Sequence, residues 1–174
     1  MNTRKVICVL YGVFFCLQVC SAQQTKEAFL NEIMNSISGP KPYLLDTAQS
    51  TGFDWQDSMV AIPATKGIID SSILYQLIAN TARSRPEKWN SKDLNHIRCV
   101  TKKSKRYAKL MSDRVGSDYE IWFCNNPVYD NNNQFAMVRI GKICGKYCLS
   151  SCLYFFEKIK GKWVVILKTF CVTV

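Results

Sequence analysis

The sequence predicts an α+β domain in which two N-terminal helices pack on an antiparallel β-meander sheet that is stapled by disulfides. Three observations predict it. Apolar residues recur at helical spacing in the first half, strand-like runs separated by turn residues fill the second, and six of the nine cysteines fall in that second half.

The first helix is expected from Thr25 to Ile37, because Phe29, Leu30, Ile33, Met34 and Ile37 recur at three- and four-residue steps and so share one stripe. Gly39, Pro40 and Pro42 end it. A loop containing Asp46, Gly52, Asp54 and Pro63 follows, within which Trp55, Met59, Val60 and Ile62 suggest a short turn or strand against the core. The second helix starts near Asp70, whose carboxylate suits the exposed amides of a first turn, and turns Ile73, Leu74, Leu77, Ile78 and Ala82 inward. Arg83 and Arg85 suit its negative end, and Pro86 stops it.

Short strands are expected at Ile97 to Thr101, Tyr107 to Met111 and Tyr119 to Cys124. A turn built from Asp130, Asn131, Asn132 and Asn133 then joins Tyr119 to Cys124 to a partner strand, Gln134 to Ile140. The last hairpin pairs Leu149 to Ile159 with Lys162 to Val172 through Lys160-Gly161, a two-residue turn whose glycine can take a positive φ. Its register sets Lys158 against Trp163, Phe156 against Val165, Tyr154 against Leu167, Cys152 against Thr169 and Ser150 against Cys171. Both faces of this hairpin are apolar, so each needs a cover from helices, the long loop, sheet curvature or a partner.

The first 22 residues read as a secretory leader: basic Arg4 and Lys5, the apolar run Val6 to Val19, then small Ser21 and Ala22. Cleavage after Ala22 leaves residues 23–174 as a single domain, secreted or periplasmic, with no further run long enough to span a membrane. An uncleaved anchor fits less well, since the run is short of the roughly 20 residues a span needs. Lipid anchoring at Cys20 is also second to cleavage, because Val19 stands where a lipobox carries a small residue. Arg4 and Lys5 leave with the leader, so 23 basic against 13 acidic residues becomes 21 against 13, a net charge of +8.

Cys99, Cys124, Cys144, Cys148, Cys152 and Cys171 remain after cleavage, an even set that an oxidising compartment turns into up to three disulfides. A metal site from Cys144, Cys148 and Cys152 is the weaker reading, because structural zinc favours two-residue gaps between thiolates. The most specific pairing expected is Cys171 with Cys148 or Cys152. Both are diagonal neighbours of Cys171 on one face in the register above, and a local twist or bulge must close the gap.

From Asn126 onward the pattern resembles a loosely defined set of small exported bacterial proteins, Bacteroidota-like, with no assigned activity. The residues that carry this are Pro127-Val128-Tyr129-Asp130, Ala136 and Val138, a turn with Gly141, Cys144 and Gly145, and the ending Tyr154, Phe155 and Gly161-Lys162-Trp163. The resemblance covers about residues 126–174 and implies a fold and an exported address, with no catalytic residue.

Mechanistic motifs are absent: no glycine-rich phosphate loop, no G-x-S-x-G elbow and no H-E-x-x-H helix. His96 is the one histidine, and acid–base work of the ribonuclease type uses two titratable partners. Cys99 follows His96 by three residues, but on a strand the two point to opposite faces. Asp54 and Asp57 read as solvated loop carboxylates. The run Lys102, Lys103, Ser104, Lys105, Arg106, Tyr107 and Lys109 is the one local feature with a partner class attached, an anionic polymer, surface or protein. Lys102, Lys103, Lys105 and Arg106 are its anion-binding candidates. The sequence therefore favours an exported non-catalytic binding or structural module without a cofactor over a small secreted hydrolase acting on an anionic substrate.

Overall fold

A computed structural model describes residues 24–38, 42–49, 66–112 and 120–173 of the 174-residue chain. The leader, with Cys20, and the loop residues Gly52, Asp54, Trp55, Asp57, Met59, Val60, Ile62 and Pro63 lie outside the described residues.

The first helix, α1, is Lys26–Ser38, and it buries the expected stripe of Phe29, Leu30, Ile33 and Met34. The second, α2, is Ser71–Thr81, with Asp70 as its N-cap. The Asp70 carboxylate accepts from the Ser72 amide at 2.7 Å and the Ser72 hydroxyl at 2.5 Å. Those bonds hold it below the usual carboxylate range. No helix among the described residues is long and apolar enough to cross a membrane.

The segment Tyr107 to Met111 is not a strand. It belongs to a third helix, α3, Lys105–Ser112. Ser104 decides this locally: its hydroxyl accepts from the Tyr107 amide at 3.2 Å, and its carbonyl accepts from the Ala108 amide at 3.0 Å. Tyr107, Leu110 and Met111 then fall at three- and four-residue steps and pack together in one cluster, with Leu110 fully buried.

Among the described residues the sheet has seven strands: β1 Tyr43–Leu45, β2 Arg98–Val100, β3 Ile121–Cys124, β4 Val128–Tyr129, β5 Phe135–Gly145, β6 Cys148–Ile159 and β7 Lys162–Thr173. Their order is β2-β1-β3-β5-β6-β7, with β4 also paired to β5. The expected all-antiparallel meander is corrected to a mixed sheet. β1 lies parallel to both β2 and β3, while the pairs from β3 through β7 are antiparallel. Parallel neighbours need crossover connections, and the stretches that contain α2 and α3 supply them. The hairpin expected across the Asp130–Asn133 turn is also redistributed. That turn joins β4 to β5, whereas β3 pairs further along β5, from Ile121↔Ile143 to Cys124↔Ile140.

The helices divide between the two faces and cover both sides of β5 and β6, while Val164, Val165 and Val172 of β7 stay exposed. α1 packs on Ala136, Val138, Ile140, Tyr154, Phe156 and Trp163. Phe29 sits edge-on to Tyr129, Phe156 and Trp163, with centroids 5.2–5.7 Å away. On the opposite face α2 packs on Met137, Leu153, Phe155 and Leu167, and α3 on Leu45, Val100, Ile121 and Ile143. α1 and the residues just before it also clamp the outer strand. Glu32 accepts from the Trp163 amide at 2.5 Å, and Gln24 accepts from the Trp163 indole at 2.8 Å.

The Lys160-Gly161 turn forms as expected, with φ of 51° and 79°. Pairing from Ile159↔Lys162 to Phe156↔Val165 also follows the expected register. Beyond that point β7 carries one extra residue, Ile166, so Leu167 faces Phe155 and lies on the α2 side. A second extra residue, Phe170 at φ 48°, follows Thr169. Leu153 pairs with Thr169 and Ser151 with Val172, so Cys171 stands against Cys152. Cys152 and Cys171 are joined, with Cα atoms 4.1 Å apart. The bulge thus closes the diagonal gap.

Cys144 is bonded to Cys148 across the Lys146-Tyr147 turn, which uses up two of the thiols weighed for a metal. Cys99 and Cys124 are free thiols, so the three-disulfide limit resolves to two bonds among the described residues. Gly141 is also corrected: it lies inside β5, away from any turn, with Phe123 laid across it. A Cβ there would come within 2.4 Å of the Phe123 ring and 2.5 Å of the Ser150 carbonyl.

Candidate functional site

β1, β2 and β3 run in parallel, so the segments leaving their carboxyl ends emerge on the same side. In sheets with parallel strands this is where crevices open. After β1 comes Asp46 to Gln49, and after β2 comes Thr101 to Lys103. The segment 86–88 crosses beside them. Ala48 donates to the Glu87 carbonyl at 2.8 Å, Trp89 donates to the Asp46 carbonyl at 3.0 Å, and Thr47 and Lys88 form an isolated bridge. Gln49 donates to the Cys124 carbonyl at 2.8 Å, which ties the first segment to the end of β3.

These segments enclose a cleft of about 580 Å³. Among the described residues its charged lining is Lys88, Lys102 and Lys103 against a single carboxylate, Asp46. All three lysines are exposed, and none meets a carboxylate among the described residues. Three ammonium groups around one carboxylate give the cleft a positive field suited to a sulfate, carboxylate or phosphate group.

The four anion-binding candidates therefore separate. Lys102 and Lys103 line the cleft. Lys105 and Arg106 instead open α3, outside the cleft lining. The Arg106 guanidinium stacks 3.9 Å from the centre of the Tyr43 ring. Arg98 approaches the same ring at 5.7 Å and donates to the Tyr43 hydroxyl at 3.1 Å. Lys88 escaped the sequence reading because its loop has no periodicity to mark it.

His96 and Cys99 do not make a nucleophile pair. His96 is exposed, outside the cleft lining, and no hydrogen bond or ion pair joins it to another described side chain. Cys99 is half-buried, and burial, then the charges of Asp46 and Glu27, push its thiol up, away from the thiolate a nucleophile needs. Burial, followed by Cys99, pushes the fully buried Cys124 thiol up further still. Among the described residues no cluster of His, Cys, Asp and Glu could hold a metal ion.

Arg139 is a buried charge that sequence reasoning missed. It sits on β5, on the α2 and α3 side, 8 % exposed, and donates to the Ser151 hydroxyl at 3.3 Å. Its amide donates to Asn125 at 2.6 Å, and burial lowers its pKa from the ordinary arginine value. The alternation of β5 with Met137 and Ile143 places it between two apolar clusters, as a divider of the core.

Protein-family models, curated proteins and solved structures were all compared with the chain, and none matches it.

Proposed function

We propose that the protein is an exported, non-catalytic binding module whose cleft at the carboxyl ends of β1 and β2 holds an acidic group of an anionic partner. The observation that carries this reading is the convergence of Lys88, Lys102 and Lys103, from two separate segments, on one cleft with a single carboxylate among its described lining residues. Charge runs on solvated loops are common, but here two lysines of the run meet a third from elsewhere in the chain. The leader pattern and the two disulfides support an oxidising, extracytoplasmic address. The raised Cys99 thiol and the isolated His96 argue for binding over hydrolysis.

The test is retention on a sulfated matrix as a function of salt. Each lysine in contact with the anion contributes about one unit to the slope of log affinity against log salt, so Lys102→Gln with Lys103→Gln lowers it by about two units. An unchanged slope removes the cleft from the reading.

A further inference from the structure

A second groove, of about 500 Å³, lies on the other side of the segment 85–88. Its walls are the end of α2 and the residues that follow it, the first turn of α1, and the segment 126–133, which leaves β3 and carries β4. Arg85 and Glu87 face this groove, whereas Pro86 and Lys88 face the lysine cleft, so one short extended segment is the shared wall of both. Loop contacts hold that wall. Asn126 donates to the Arg85 carbonyl at 2.5 Å, and Lys26 pairs with Glu87.

The second groove is also positive. Lys26 and Glu87 neutralise each other, and Asp130, buried with its carboxylate accepting from the amides of Asn132, Gln134 and Phe135, keeps its charge and offsets one arginine, leaving a net charge of one positive unit among the described lining residues. Arg83 and Arg85 remain, both exposed, and neither meets a carboxylate among the described residues. Beside them stand Asn80, Asn131, Asn133 and Ser84, whose side-chain oxygens accept hydrogen bonds.

From this we infer that the two clefts form one track, over the 85–88 wall, for an acidic polysaccharide. The inference rests on the lysine cleft as an anion site and extends it to the class of partner. Two positive clefts with a common wall suit a linear polyanion that crosses both, where a single small anion would occupy only one. These amide and hydroxyl side chains both donate and accept, so a partner that does both meets their full capacity while an acceptor-only polyanion meets just the donors. A saccharide brings hydroxyl donors to meet the acceptors, and polyphosphate brings none at neutral pH. Single-stranded nucleic acid is matched by cationic grooves with aromatic platforms. Among the described residues the lysine cleft has no ring in its lining, and the ring of Tyr129 in the other groove is packed against Phe29 and Trp163.

The experiment uses size-defined heparin oligosaccharides, titrated by calorimetry into the protein at fixed salt. Affinity rises with length from disaccharide until both clefts are spanned, then levels. Arg83→Gln with Arg85→Gln removes about tenfold or more of the affinity for the long oligosaccharides and leaves disaccharide binding unchanged. Both arginines are exposed, and an unchanged thermal melt confirms that the variant is folded. Lys102→Gln with Lys103→Gln weakens every length, disaccharide included. Affinity independent of length, or a length gain that survives loss of both arginines, overturns the track; if Lys102→Gln with Lys103→Gln still weakens the disaccharide, the lysine cleft stands alone. Polyphosphate or oligothymidine of equal charge binding as tightly as the oligosaccharide overturns the saccharide assignment.

Discussion

Removing the Cys152–Cys171 bond, by Cys152→Ser with Cys171→Ser, tests how the end of β7 is held. The two residues are separated by 19 positions, so the bond closes a loop of about 20 residues in the unfolded chain. The chain-entropy relation gives about 11 cal/mol/K for that closure, or about 3 kcal/mol at 25 °C. The Cys144–Cys148 bond, with a separation of 4, closes about five residues and is worth about 2 kcal/mol on the same relation. For a domain of this size, 3 kcal/mol corresponds to a fall in Tm of about 6–12 °C. A local effect accompanies the global one. Phe170 is held at φ 48°, where a residue with a Cβ is disfavoured by roughly 1–2 kcal/mol, and the bulge that requires this lies next to the disulfide. Without the bond, the amides of Thr169 to Thr173 lose hydrogen-exchange protection while those of β5 keep theirs. Equilibrium urea unfolding and native-state exchange measure the two effects. A loss under about 0.5 kcal/mol, or unchanged protection at Thr169 to Thr173, refutes the view that the bond holds the bulge in place.

Gly141→Ala sets a Cβ against the Phe123 ring and the Ser150 backbone, and the second of these cannot step aside. Overpacking of this kind costs about 1–3 kcal/mol in urea unfolding, and a neutral result contradicts the close approach. The thiols give a pH dependence. Cys99 and Cys124 both titrate above the ordinary thiol value when folded, so the folded state keeps protons that the unfolded state releases. Their contribution to stability is present below about pH 8.5 and is lost as pH rises above it. Replacing both by alanine flattens that alkaline loss, and an unchanged slope contradicts the assignment. Under native conditions an alkylating reagent labels Cys99 and spares buried Cys124; rapid labelling of Cys124 contradicts its burial.

Particular residues explain what the sequence could and could not disclose. α1 is legible because Phe29, Leu30, Ile33 and Met34 make a stripe with glycine and prolines after it, and α2 because Asp70 is a side-chain cap at its start. Lys160-Gly161 declares its hairpin by turn chemistry alone. Tyr107 to Met111 is ambiguous at that length, and the pocket that takes Leu110 is built from four strands, of which β1 and β5 are far away in sequence. Ile166 and Phe170 insert their extra residues with no glycine to mark them, so the face of Leu167 was reversed while the pairing of Cys171 was not. The parallel arrangement of β1, β2 and β3 depends on crossovers, which leave no trace in strand patterns. The lysine cleft was half legible for a similar reason. Lys102 and Lys103 stand out as part of a charge run, but Lys88 joins them only because 86–88 pairs alongside Asp46 to Ala48.

The lysine cleft is tested most directly by a backbone amide NMR titration of the protein with heparin disaccharide. The shifted amides are expected to be those of Asp46 to Gln49, Lys88 and Thr101 to Lys103, the walls of the lysine cleft, and Lys102→Gln with Lys103→Gln abolishes the shifts. Shifts centred instead on α3 at Lys105 and Arg106, or spread evenly over the exposed lysines, would contradict it.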